Sequence, residues 1–192
     1  TTGIDNFAMK NRQAEMQRNR AGFGDNFTAP LKPFDAILPA PRGAIGNSAH
    51  FALGVRCDRD FVTAIEYLPS CTGQLPQSLL AQEAVRQLSA WFADPAYVFS
   101  LPLAPVGTAF QRRVWAAIAE IPCGQTRSYG HLAEVIASGP RAVGNACGAN
   151  PYPLVVPCHR VIAADKSLGG FARQRGGFLL TVKQWLLQHE GA

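Results

Sequence analysis

Residues 128–137 (SYGHLAEVIA) and 141–149 (RAVGNACGA) predict two short helices, and the three residues between them (SGP) predict a tight turn. Pro140 suits the start of the second helix because its ring fixes φ near the helical value, and Asn150-Pro151 ends that helix. Two helices joined in this way match a helix-turn-helix, whose second helix enters a groove of DNA. Many helical hairpins are only packing units, so packing is the alternative interpretation.

The net charge of the chain is +5, and the whole excess lies after residue 106. Residues 107–192 contain nine Lys and Arg against four Asp and Glu, whereas residues 1–106 contain nine of each kind. A basic half favours a polyanionic partner such as nucleic acid. A solvated surface explains the same charge without any partner.

Residues 154–162 (LVVPCHRVI) place a cysteine, a histidine and an arginine in succession inside an apolar stretch. Burying such groups costs free energy unless they are paired. Cys158 is either a small buried hydrophobe, as most cysteines are, or a nucleophile whose proton a nearby imidazole removes. Neighbouring side chains of an extended chain point in opposite directions, so His159 would need a bridging water or a turn at Pro157 to reach the thiol.

Glu190 is the candidate to orient that imidazole. A histidine that acts as a base needs an acceptor to fix its tautomer, and a carboxylate serves this purpose in catalytic triads. Glu190 closes a helix predicted over residues 178–190, whose apolar side chains predict packing on the core. A solvated carboxylate at a helix end is the alternative interpretation.

The predicted fold class is mixed α/β (α+β), with a small sheet-plus-helix domain over 34–105 and a mainly helical domain over 106–192 that carries the helix-turn-helix. In the first domain, residues 50–68 predict a hairpin and residues 77–93 a helix. We expect this domain to be a scaffold, because no chemistry is visible in it. The polar residues 1–33 predict a flexible N-terminal extension.

The five cysteines form no CxxC pair and no Cys/His cluster with zinc-finger spacing, which favours a reduced, intracellular protein without a structural metal. No apolar run reaches the roughly 18 to 20 residues that span a bilayer. The first thirty residues lack the apolar core of a signal peptide. We therefore expect a soluble, cytoplasmic protein that does not bind membranes.

Several motifs of the C-terminal half resemble one family of DNA-repair proteins. Residues 150–161 (NPYPLVVPCHRV), preceded by 141–144 (RAVG) and 129–133 (YGHLA), are similar to the O6-alkylguanine-DNA alkyltransferases, also called methylated-DNA-protein-cysteine methyltransferases. The PCHRV core is highly specific to that family. The similarity is clear over 108–191 and loose over 34–105. Further matches are 110–115 (FQRRVW), 121–124 (IPCG) and 185–190 (WLLQHE).

The resemblance implies a single-use alkyl transfer that needs no cofactor. Cys158 would accept the alkyl group of O6-alkylguanine in one irreversible step, with O4-alkylthymine as a further candidate substrate. His159 would be the base, reached through a water, and Glu190 would orient it. Asn150 would hold the turn after the recognition helix against the cysteine loop. The partner would be double-stranded DNA, bound in its minor groove by a monomer.

The resemblance also implies base flipping, because a base inside a duplex cannot reach a buried sulfur. Arg141 would enter the base stack in place of the extruded nucleotide. Tyr129 would press on the target phosphate, with its hydroxyl beside the flipped guanine. The small residues Ala142 and Gly144 would let the recognition helix approach the minor groove closely. Non-specific affinity for the backbone would come from four arginines, Arg112, Arg113, Arg127 and Arg173.

The sequence departs from the family pattern in two places, one near the pocket for the base and one in the turn of the helix-turn-helix. The backbone near Val161 would meet the base edge, and Phe171 would belong to the loop that closes the pocket. The stretch after this loop, residues 173–177, is about five residues longer than usual, which bears on the preferred size of the alkyl group. The turn over 137–141 is short, which bears on the pitch of Arg141. Zinc ligands of some family members have no matching cluster here.

Two other functions are alternatives to alkyl transfer. A non-catalytic lesion-binding protein of the same fold would have its cysteine replaced, and Cys158 is present. A cysteine hydrolase using Cys158 and His159 would turn over repeatedly, and it would leave the helix-turn-helix and the basic half without a use.

Overall fold

A three-stranded antiparallel sheet forms the N-terminal layer, with β1 (Ala36–Pro39), β2 (Phe51–Cys57) and β3 (Val62–Pro69) in that order. β2 and β3 confirm the predicted hairpin. β1 was not predicted, because it is only four residues long, ends in Pro39 and lies between Pro33 and Pro41, so no alternation is visible. The computed structural model describes residues 33–41, 51–69, 71–172, 174 and 176–192. The predicted extension over 1–33 lies, apart from Pro33, outside the described residues.

Helix α1 (Leu79–Ala93) covers one face of this sheet. Ser78 caps its N-terminus by accepting a hydrogen bond from the backbone N–H of Ala81, which explains why the helix begins two residues later than predicted. Its buried residues recur at helical spacing and pack against β2, so the predicted helix and its apolar face are confirmed. They are Ala81, Ala84, Gln87, Leu88, Trp91 and Phe92.

Helix α2 (Ala109–Ala119) opens the C-terminal part. Thr108 and Gln111 form a capping box, in which each side chain accepts a hydrogen bond from the other residue's backbone N–H. Trp115 anchors the helix, because its indole N–H donates to the carbonyl of Ala146 at 2.8 Å in a buried contact.

The predicted helix-turn-helix is present as α3 (Tyr129–Val135) and α4 (Pro140–Gly148). Ser128 caps α3, and Pro140 occupies the first turn of α4 as expected. At the turn, Ala137 has φ of 52°, and the N–H of Ser138 donates to the carbonyl of Ala133 at 2.8 Å. This hydrogen bond is typical of a helix end with a left-handed residue, although alanine stands where glycine is usual.

The last elements bring the chain back across the core. A 3₁₀ turn (Cys158–Arg160) leads into β5 (Val161–Ile162), which pairs in parallel with β4 (Arg127–Ser128). Helix α5 (Phe178–Glu190) contacts that turn and is capped at its C-terminus by Gly191, whose φ is 73°. Residues Phe34–Ala192 form one compact unit. Its division into one domain over 34–105 and one over 106–192 stays a prediction.

Residues 101–105, whose two prolines and position between the two predicted domains indicate a linker, are packed against β3. The N–H of Val62 donates to the carbonyl of Pro102, and the N–H of Ala104 donates to the carbonyl of Val62. Leu101 and Ala104 are buried. No helix among the described residues has the length and apolar composition needed to cross a membrane.

Candidate active site

The segment Cys158–Arg160 forms one 3₁₀ turn immediately after Pro157. In an extended chain, the side chains of Cys158 and His159 would point in opposite directions. In this 3₁₀ turn, successive side chains do not alternate between two faces. Cys158 is 6% exposed, His159 0% and Arg160 9%, so all three are buried. Their polar groups therefore need partners within the protein.

Glu190, at the end of α5, is the partner of both basic residues. His159 Nε2 lies 2.8 Å from Glu190 Oε1. Arg160 donates from Nε to Oε2 and from a terminal nitrogen to Oε1, both at 2.8 Å, which makes a bidentate ion pair. A further terminal nitrogen of Arg160 donates to the carbonyl of Ile121 at 2.6 Å. The predicted contact between His159 and Glu190 is present, and Arg160, which the sequence left without a role, completes it.

This cluster fixes the protonation of the imidazole. Burial alone would raise the pKa of Glu190, but hydrogen bonds from His159 and Arg160 lower it to about 2, so the carboxylate is ionised at neutral pH. Burial lowers the pKa of His159, and the charges of Arg160 and Lys183 act in the same direction against Glu190. His159 is therefore neutral and carries its hydrogen on Nε2, facing the carboxylate. Its Nδ1 is left as a proton acceptor.

Asn150 joins the end of the helix-turn-helix to the sulfur of Cys158. Its side-chain N–H₂ group donates to Cys158 Sγ at 3.4 Å and to the carbonyl of Val156 at 2.8 Å. Its side-chain oxygen accepts from the N–H of Tyr152 at 2.9 Å. Burial raises the pKa of the Cys158 thiol, while Asn150 and the positive charge of Lys183 favour the thiolate. The expected position of Asn150 between the turn and the cysteine loop agrees with these contacts.

Cys158 lies at the wall of a cavity of about 210 Å³. The cavity is lined from both layers of the molecule, by β3, by α4, by the segment after α4 and by the loop at Phe171. Two of its lining residues, Tyr67 and Cys147, were not found from the sequence. Tyr67 lies in a strand pattern that shows only β-forming residues, and Cys147 looks like any small residue of a helix.

Phe171 lies in the loop between β5 and α5, as expected, and its ring centroid is 5.6 Å from that of Tyr67. Lys183, on α5, holds this loop through hydrogen bonds to its backbone. Its Nζ donates to the carbonyls of Val161 at 2.6 Å, Leu168 at 2.5 Å and Gly170 at 3.4 Å. Both backbone polar groups of Val161 are engaged, since its N–H donates to the carbonyl of Cys158.

Tyr129 connects α3 to the same loop, because its hydroxyl donates to the carbonyl of Gly170 at 3.0 Å. A Cβ atom on Gly144 would lie 3.9 Å from the ring of Tyr129, which is ordinary contact distance. Ala142 lies two residues earlier on α4 and borders a second cavity, of about 350 Å³, between α2 and α4. Arg141 is exposed at the start of α4.

The arginines expected to contact DNA have individual contacts within the protein. Arg113 donates to the carbonyl of Ile136 at 2.6 Å, at the end of α3. Arg112 donates to the carbonyl of Gly107 at 2.6 Å, and Arg127 to that of Thr126 at 2.9 Å. Arg173 lies outside the described residues. Within the described part of the chain, no group of three or more His, Cys, Asp and Glu side chains could hold a metal ion.

The comparisons with known proteins agree with the sequence motifs. Residues 109–192 match the model of the 6-O-methylguanine DNA methyltransferase DNA-binding domain. A methylated-DNA–protein-cysteine methyltransferase of Methanosarcina acetivorans is 47% identical over 113 residues, which are 58% of this chain and 69% of the relative. One from Mycolicibacterium paratuberculosis is 48% identical over 126 residues, which are 65% of this chain and 73% of the relative.

A solved structure shows the same relationship in three dimensions. The Mycobacterium tuberculosis OGT in complex with DNA has a TM-score of 0.63 and 38% sequence identity, over 76% of this chain and 89% of that one. The identity and the coverage are both high enough to establish common descent. The chain therefore belongs to the family of methylated-DNA–protein-cysteine methyltransferases, whose activity is DNA repair by transfer of an alkyl group to a cysteine.

Proposed function

We propose that Cys158 is the acceptor cysteine and that it takes the alkyl group of O6-alkylguanine in duplex DNA. The observation that carries the proposal is the position of a buried thiol at a cavity wall, next in sequence to a neutral imidazole that a carboxylate orients. This is the arrangement that activates a nucleophilic cysteine. Each molecule would act once, because a thioether does not release its alkyl group.

The reaction moves one proton and replaces one C–O bond by one S–C bond. The thiol proton of Cys158 passes through a water to His159 Nδ1, and Glu190 stabilises the imidazolium that forms. The thiolate attacks the alkyl carbon, an S–C bond forms, and the C–O6 bond breaks with its electron pair remaining on the base. The guanine anion takes up the proton that the imidazolium gives back, and the restored guanine stays in the DNA strand. Asn150 stabilises the thiolate through its N–H₂ group.

The lesion would reach the sulfur by base flipping from the minor groove. Arg141 is exposed at the start of the recognition helix α4, where it can fill the space of the extruded nucleotide. Ala142 and Gly144 have small side chains that project little from α4. The helix can therefore approach the shallow minor groove, whose pattern of hydrogen-bonding groups depends only weakly on sequence. Tyr129 borders the closing loop, so its hydroxyl can face the extruded base after exchanging its hydrogen bond with Gly170.

The pocket would hold guanine between Phe171 and the backbone near Val161. Since the N–H and carbonyl of Val161 are both engaged, its carbonyl would contact the base edge through its second lone pair. O4-alkylthymine is a second candidate substrate, because it offers the same alkyl–oxygen bond in a smaller ring. We propose that the protein works as a monomer in the cytoplasm.

Intact-protein mass spectrometry after mixing with a duplex that contains one O6-methylguanine tests the proposal. We expect one methyl adduct per molecule, mapped to Cys158 and absent from Cys158→Ala. Cys71→Ala, at an exposed cysteine, is the matched control and should react normally. Repeated turnover without an adduct would favour a cysteine hydrolase. Tight binding of the lesion with no adduct would favour a non-catalytic lesion-binding protein.

A further inference from the structure

Tyr67 brings an unpaired hydroxyl from the sheet into the cavity of Cys158. The residue lies on β3, in the layer that the sequence predicted to be a scaffold, and it lines the cavity together with Cys158 and Asn150. Its Oη atom is buried and has no hydrogen-bond partner among the described residues. Buried hydroxyl groups are nearly always paired, so this one points to an occupant of the cavity.

The ring of Tyr67 is held in place by aromatic contacts. Its centroid lies 5.8 Å from that of Phe51 in an edge-on arrangement and 5.6 Å from that of Phe171. These contacts fix the direction of the hydroxyl without giving it a partner. A group that is held rigidly but left unpaired is suited to position a reacting molecule.

The surroundings of Tyr67 decide which role the hydroxyl can have. Burial raises the pKa of Tyr67 well above its ordinary value, and the negative charges of Cys158 and Glu190 add to the effect. The phenol therefore keeps its proton and acts as a hydrogen-bond donor. The other titratable groups around Cys158 are His159 on the 3₁₀ turn, Tyr129 on α3, Cys147 on α4 and Lys183 on α5, and Glu66 on β3 lines the same cavity.

Among the buried side-chain nitrogen and oxygen atoms of the described residues, one other is unpaired, and it is His159 Nδ1. The hydroxyl of Tyr67 makes no direct hydrogen bond to Cys158, so a connection between them requires a water. A buried water usually binds two to four polar groups that lack other partners. A single water between the thiol and the imidazole would satisfy both unpaired atoms.

We propose that Tyr67 is a positioning residue for alkyl transfer, whose hydroxyl donates a hydrogen bond to the water that relays the proton from Cys158 to His159. The hydroxyl keeps its own proton throughout. It holds the water oxygen toward the sheet, so that the water faces the sulfur and Nδ1 together. This inference rests on the proposed function, and it assigns part of the chemistry to the N-terminal layer.

Tyr67→Phe tests the inference, because it removes only the hydroxyl and keeps the ring contacts. We expect the single-turnover rate of methyl transfer at pH 7 to fall about tenfold, as for the loss of one hydrogen bond to a charged group. The pH at which the rate is half-maximal should rise by about one unit. Affinity for the lesion-containing duplex should not change. Tyr97→Phe, which removes a hydroxyl beside Arg86, is the matched control and should leave rate and pH profile unchanged.

A measurement without DNA separates this inference from the proposed function. Alkylation of Cys158 by iodoacetamide, followed across pH by peptide mass spectrometry, reports the protonation of the thiol directly. A shift of this profile in Tyr67→Phe supports the role of Tyr67 even if the protein transfers no methyl group from DNA. If transfer proceeds normally and Tyr67→Phe shifts neither profile, the hydroxyl has no part in the relay and the inference is wrong.

Discussion

His159 Nε2 donates to Glu190 Oε1 at 2.8 Å across 31 residues of chain, and this contact turns the opposite nitrogen of the imidazole into a proton acceptor. The orientation depends on an ionised carboxylate, because a protonated Glu190 would compete with the imidazole as a donor. The contact therefore links the chemistry of the site to the pH dependence of its stability.

Acid should destabilise the protein in the range where Glu190 titrates. The pKa of Glu190 is about 2 in the folded protein against 4.5 ordinarily, so the unfolded chain binds more protons between these values. The free energy of unfolding should fall as pH drops from 4.5 to 2, by up to about 3 kcal/mol. His159, whose pKa is lowered, adds a loss that begins below its ordinary value of 6.5. Urea unfolding across pH measures both.

Glu190→Gln should lack the part of this dependence between pH 4.5 and 2. At neutral pH it should also lose about 3–5 kcal/mol of stability, because the guanidinium of Arg160 stays buried without its carboxylate. Its methyl-transfer rate should also fall, because glutamine has no negative charge to stabilise the imidazolium of His159. Glu120→Gln, at an exposed position, is the control. A Glu190→Gln curve parallel to the wild type below pH 4.5 would contradict the prediction.

Asn150→Ala should raise the pH needed for methyl transfer. The substitution removes the hydrogen bond to Cys158 Sγ, so the pKa of the thiol should move further above its ordinary value. It also removes the hydrogen bonds that Asn150 makes with the N–H of Tyr152 and the carbonyl of Val156, at a cost of about 1–3 kcal/mol. Transfer rates across pH and urea unfolding check the two effects separately. Gln82→Ala removes an exposed amide and should change neither.

Arg141→Ala should separate the flipping of the base from the chemistry. Methyl transfer from duplex DNA should slow by at least about tenfold, because the gap left in the base stack costs a few kcal/mol. Transfer from the free base O6-benzylguanine should keep its rate. Arg59→Ala removes one exposed positive charge from the hairpin turn and controls for net charge. Equal losses on both substrates would mean that Arg141 is structural.

Lys183→Met should loosen the loop that closes the cavity. Its three N–H groups match three carbonyls, and methionine keeps the length of the side chain while removing all three bonds. We expect a loss of about 2–3 kcal/mol in unfolding free energy and faster amide exchange over residues 161–171. Lys166→Met, at an exposed lysine of the same loop, should leave both unchanged.

The residues of the site differ in how far the sequence revealed them. Cys158 and His159 stand out locally, because polar groups inside an apolar run need an explanation. Glu190 follows from the need of an imidazole base for an acceptor, and Asn150 was found through the family motifs. Tyr67 was not found, since its place beside the sulfur depends on how the sheet packs on the rest of the molecule.

The fold, too, is only partly predictable from local sequence signals. The helix-turn-helix and the hairpin follow from local signals, namely helical spacing, a proline at a helix start and a polar turn. The pairing of β4 with β5 involves two residues on each strand, which is too short for any alternation to appear. The ion pair of Arg160 with Glu190 spans 30 residues, and no local pattern predicts it.

The separation between the 3₁₀ turn and the end of α5 also has a consequence for synthesis of the chain. A ribosome adds Cys158 and His159 before it has made the helix that carries Glu190. Until that helix docks, the imidazole has no carboxylate to set its tautomer and the cavity has no Lys183 beneath its loop. A nascent chain therefore passes through a stage in which the thiol exists without its proton acceptor in place, and reactivity should arise only with the docking of the final helix.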